Sequence, residues 1–78
     1  MSAETIHRHA DWVLRREPAP EAPPAVYEVE CTSCTHSSGA ADEAGAVYEW
    51  AARHAALGPG HTGFREIVHR FWRAFPTS

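Results

Sequence analysis

Two thiols set two residues apart, Cys31-Thr32-Ser33-Cys34, constrain this chain more than any other stretch. An alanine-rich segment follows and ends in Arg53-His54, and Gly58-Pro59-Gly60-His61 comes after it. The spacing is C-x2-C, nineteen residues, H, six residues, H. Two Cys and two His are a donor set that tetrahedral Zn²⁺ prefers, with ligands about 2.0–2.3 Å from the metal. A two-residue gap lets one tight turn aim both sulfurs at one point. A glycine-proline-glycine reversal lets a histidine beyond a helix return to the same place. The pattern predicts a structural zinc site on Cys31, Cys34, His54 and His61.

Length makes such a staple useful. With 78 residues the chain is one domain at most, and a core of that size is marginal without a metal, disulfides or a partner. No apolar run approaches the roughly 18 residues of a membrane span, and the opening residues have no apolar signal-peptide region. The expected setting is the reducing cytoplasm, where paired cysteines hold metal more often than they form a disulfide.

Other chemistries of the same motif fit less well. A redox C-x-x-C places its first thiol at a helix N-terminus, whereas polar turn residues and Gly39 follow Cys34 here. Haem attachment requires C-x-x-C-H, and Thr35 stands before His36. A catalytic zinc keeps an open position; two Cys and two His fill four, and no acid stands out as a general base. The expectation is therefore not an enzyme, with a thiol redox protein as the remote alternative. Histidine identity stays open at this level, because His36 or His69 can replace one of the two proposed. His7 and His9 read as plain surface residues, and Trp12, Trp50 and Trp72 as core fillers.

Along the chain, residues 1–10 read as a mobile start and 11–78 as a single zinc-binding domain. Residues 11–17 read as a strand, because the run is short and proline follows. Four prolines in Pro18–Pro24 make a linker. Val26 to Cys31 alternates, which predicts a half-buried strand with Tyr27, Val29 and Cys31 on its inner face. A hairpin of 11–17 with 26–31 then leads into a Cys knuckle. A helix is expected over 42–57, capped by Asp42 and stopped by Gly58-Pro59. Spacing at 100° per residue puts Val47, Trp50, Ala51, His54 and Leu57 on one apolar arc, with Glu49 and Arg53 opposite. Residues 64–75 carry a helical stripe, Phe64, Ile67, Val68, Phe71, Trp72 and Phe75, but their aromatic and β-branched content favours a strand.

Charge is uneven. Residues 1–52 hold three arginines against nine acids, a balance of −6, and residues 53–78 hold four arginines against one acid, a balance of +3. If 64–75 is a strand, aromatic and basic side chains stand together on its faces. That predicts a partner-binding surface on Arg65, Arg70, Trp72 and Arg73, with Trp and Arg as anchors for a protein. The alternative partner is a nucleic acid, disfavoured because the acidic front half would repel phosphates.

Taken together, Tyr27-x-x-x-Cys31-x-x-Cys34, Trp50-Ala-x-Arg-His54, Gly60-His61-Thr62-Gly-Phe64-Arg65-Glu66-Ile67 and Trp72-Arg73 resemble a group of short, uncharacterised actinobacterial proteins with a zinc-finger-like signature. The resemblance covers about residues 11–75. It implies an extended segment after the last histidine, which favours the strand over the helix at 64–75, and it implies no activity. The expected fold is α+β: a small zinc-finger-like domain with a hairpin, a Cys knuckle, one helix and a C-terminal strand. The expected function is a non-enzymatic zinc-binding module that serves as a protein-interaction adaptor, the alternative being a nucleic-acid-binding finger.

Overall fold

The computed structural model describes residues 5–77. Its architecture is α+β, with five strands and one helix among the described residues: β1 (Thr5–His9), β2 (Trp12–Arg16), β3 (Val26–Cys31), α1 (Ala44–Leu57), β4 (Phe64–His69) and β5 (Trp72–Pro76). The chain divides into two compact units, one of residues 1–24 with 70–78, the other of Ala25–His69.

The first unit is a three-stranded antiparallel sheet in the order β1-β2-β5. β1 and β2 are joined by a two-residue turn in which Ala10 takes the left-handed conformation, φ 51°. β5 pairs with β2 from Trp12 opposite Pro76 to Arg16 opposite Trp72. Among the described residues of this unit Val13 is the buried one, 3% exposed. Glu17 accepts hydrogen bonds from Arg73 Nε at 2.6 and 2.9 Å.

The second unit is a two-stranded antiparallel ladder, β3-β4, against which α1 packs. The register runs from Val26 opposite His69 to Cys31 opposite Phe64. Directly opposed residues share a face, so Tyr27, Val29 and Cys31 lie with Val68, Glu66 and Phe64. This is the face toward α1: Val29 and Cys31 are buried with Val47 of the helix, and Tyr48 donates to Glu66 at 2.6 Å. The helix forms because alanine recurs through it, and its far face carries the exposed Glu49–Arg53 pair at 3.3 Å.

Several expectations need correction. Residues 1–4 of the expected mobile start lie outside the described residues, but Thr5–His9 form β1, held by the turn to β2. The expected hairpin of 11–17 with 26–31 does not form; the two strands belong to different sheets, β2 between its neighbour β1 and the distant β5, and β3 beside β4. The expected strand over 64–75 is two strands, broken at Arg70-Phe71 and shared between the units, so the expected alternation of faces does not run through it. Asp42 is not the helix cap; Glu43 occupies that position without a side-chain hydrogen bond. Leu57, expected on the apolar arc, is 82% exposed, and Trp12 and Trp72 are exposed rather than core fillers.

Candidate metal centre

β3 delivers Cys31 at its end, buried on the inner face. The chain then turns back, and the Cys31 N–H donates to the His36 carbonyl at 3.0 Å. Within this loop the Ser33 N–H points at Cys31 Sγ, 3.4 Å away. Ser33 Oγ donates to the Gly60 carbonyl at 3.1 Å, and the Thr32 N–H donates to the Gly63 carbonyl at 2.9 Å. Both bonds tie the Cys loop to the segment that carries His61.

His54 projects from α1. Its ring stacks on Trp50, centroids 4.8 Å apart at 14°, and meets Phe64 edge-on at 6.0 Å. The i, i+4 spacing of Trp50 and His54 makes this stack possible. His61 follows a turn in which its N–H donates to the Gly58 carbonyl at 2.7 Å. Pro59 presets the second position of that turn. Gly58 is required for space: its φ is −134°, which any residue adopts, but a Cβ there would stand 2.9 Å from His61 Cδ2.

The structure thus brings Cys31, Cys34, His54 and His61 together, one donor atom from each, all within 4.8 Å of one another. Cys31 Sγ lies 3.4 Å from His61 Nδ1, and Cys34 Sγ lies 3.5 Å from His54 Nε2. A tetrahedral zinc with ordinary bond lengths separates sulfur and nitrogen donors by about 3.6 Å. The group is therefore close enough to bind a metal ion. Both cysteines are free thiols. Burial pushes the Cys31 thiol up, but hydrogen bonds from the Ser33 N–H, the His61 ring and Cys34 outweigh it and bring the group from 9.0 down to about 6. The thiolate is the form that binds metal.

The other histidines fall elsewhere. His36 is exposed, its ring centroid 5.9 Å from that of His54, outside the group of four. His69 sits at the opposite end of the β3-β4 ladder from Cys31, 3.9 Å from Glu28; five strand residues, about 17 Å, separate it from the thiols. The residues expected to bind a partner are also divided. Arg65 belongs to the second unit and donates to Glu30, directly opposite it on β3. Arg70, Trp72 and Arg73 belong to the first. Arg73 is engaged by Glu17, and Arg16 lies over the Trp72 ring, 5.6 Å from its centroid.

Sequence reasoning missed the wall of Trp50 and Phe64 around His54 and the Glu30–Arg65 pair beside the thiols. The first carried a signal in the i, i+4 spacing; the second needed the strand register. Among the described residues no helix is long and apolar enough to cross a membrane. No curated protein and no solved structure matches the chain. A family model does match, over residues 1–78, and the chain belongs to that family, described as a domain of unknown function, DUF7848.

Proposed function

We propose that this protein is a small zinc-binding module that works through a protein partner and catalyses no reaction. The observation that carries the reading is the convergence of Cys31, Cys34, His54 and His61 with sulfur-to-nitrogen distances of 3.4 and 3.5 Å. Two thiolates balance the charge of one Zn²⁺, and four protein donors leave no open position, which is the pattern of a structural rather than a catalytic site. The donors come from the end of β3, the Cys loop, α1 and the turn after it, so one ion would tie these four parts of the second unit together. Binding at such sites is worth about 10–16 kcal/mol in small domains, enough to decide folding. The zinc-finger-like signature agrees with this reading, and free thiols suit a reducing compartment such as the cytoplasm.

For the partner, Trp72 and Arg70 are the best anchors. Phe71 and Trp72 are 39% and 36% exposed, and Arg70 makes no ion pair among the described residues. Arg65 and Arg73 are already matched by Glu30 and Glu17, which favours a protein over a polyanion, since two of the three expected cations are neutralised.

Native mass spectrometry tests the metal. One zinc per chain is expected, with loss of the folded charge-state distribution after chelation; a folded, metal-free chain would overturn the reading.

A further inference from the structure

His7 and His9 have no part in the proposed zinc centre, and the structure gives them a setting that their sequence did not suggest. They lie two residues apart on β1, which projects both side chains from the same face of the strand with Cα atoms about 7 Å apart. The register extends that face across the sheet: His7 is opposite Leu14 and His9 opposite Trp12, while Leu14 and Trp12 are opposite Ala74 and Pro76. His7 and His9 both border one open hollow of about 190 Å³, lined by His7, His9, Trp12, Val13, Leu14 and Ala74. Every residue of β1 is exposed, so the hollow's rim is reached from solvent.

We propose that His7 and His9 chelate a late first-row divalent cation of the nickel or copper class at this hollow. The lining contains no carboxylate, so calcium and magnesium, which take oxygen donors, find nothing to bind. Imidazole nitrogen suits nickel, copper and zinc. A strand fixes the spacing of the pair through the ladder to β2, so little ordering remains when an ion bridges the two rings. Water fills the remaining coordination positions, which makes this site weaker than a four-donor centre and exchangeable. The site is separate from Cys31, Cys34, His54 and His61 in sequence and in unit, and it does not rest on the zinc reading.

Titration of the purified protein with NiCl₂ tests it; nickel is chosen because it does not oxidise thiols. One binding event per chain is expected, with a change in the Trp12 indole resonance and no thiolate-to-nickel charge-transfer absorption. His7→Ala and His9→Ala should each weaken binding at least tenfold, because either change destroys the chelate. His36→Ala and His69→Ala should leave it within twofold. Unchanged affinity in His7→Ala, or equal loss in His36→Ala, would overturn the proposal. So would a charge-transfer band, which places the nickel on the cysteines instead.

Discussion

The second unit buries Ala25, Val29, Cys31 and, on its helix, Val47, and gathers four side chains that could hold a metal at one end of its ladder; the first buries Val13 and contains no cysteine. In the second unit, the burial of a thiol and the stacking of a histidine on Trp50 use apolar packing to position donors. In the first, the visible ties run across strands: the Arg73–Glu17 pair, Arg16 over Trp72, and Arg15 over Phe75 at 5.7 Å. Neither unit has the apolar interior of a larger domain. The contrast shows two ways in which a short chain offsets a small core, one by concentrating soft donors, the other by matching side chains along a ladder.

The comparison breaks most sharply at the donors. Cys31→Ser, Cys34→Ser and His54→Ala should each abolish metal binding and amide protection across β3, α1 and β4, whereas His36→Ala should keep both. Zinc competition with a chromophoric chelator and hydrogen exchange read the two effects. Protection lost equally in the β1–β2 hairpin would show that the units do not differ as argued.

A smaller effect is expected where the Cys loop meets β4. A Cβ on Gly63 would stand 2.5 Å from Thr32 Oγ1. Gly63→Ala should therefore cost about 1–3 kcal/mol, in the range of overpacking, and Thr32→Ala should recover most of it. Denaturant unfolding of both single variants and the double measures the coupling.

The smallest effect belongs to the first unit. The Arg73 hydrogen bond, opposed by burial and helped by the charge of Arg73, holds the Glu17 carboxyl below its ordinary 4.5. A folded-state value below the unfolded one means that the unfolded chain binds more protons between the two. The pair's contribution is therefore complete above about pH 4.5 and is lost as pH falls through the folded value. Arg73→Ala should move the Glu17 midpoint up toward 4.5 in an NMR titration; an unmoved midpoint would remove this tie from the comparison.

The parts legible in the sequence were those written in local spacing. The helix, the alternation of Tyr27, Val29 and Cys31, and the convergence implied by C-x2-C and the two later histidines are all short-range patterns. Strand partners are not. β2 and β3 are consecutive strands, and the hairpin between them was the economical inference, yet β2 pairs with β1 and β5 while β3 pairs with β4. Nothing in Trp12–Arg16 encodes that its mate begins at Trp72. The break at Arg70-Phe71 was hidden for a related reason: both flanking runs are extended and aromatic, and only the change of sheet separates them. Gly58 shows a subtler limit, since its position at the helix end was readable but its need for space beside His61 was not.

The pairing of β2 with β5 has a consequence for the order of assembly. To set Arg16 against Trp72, the chain must close a loop that contains the whole second unit. When β3 has already paired with β4, Val26 stands opposite His69, and the span left to close shrinks to the proline-rich link and a pair of residues before β5. By the logarithmic dependence of closure entropy on length, that shortcut is worth on the order of 1 kcal/mol. The inner ladder thus acts as a clasp that draws the two outer segments within reach, and a chain deprived of that clasp would search for its β2–β5 register across a much longer tether.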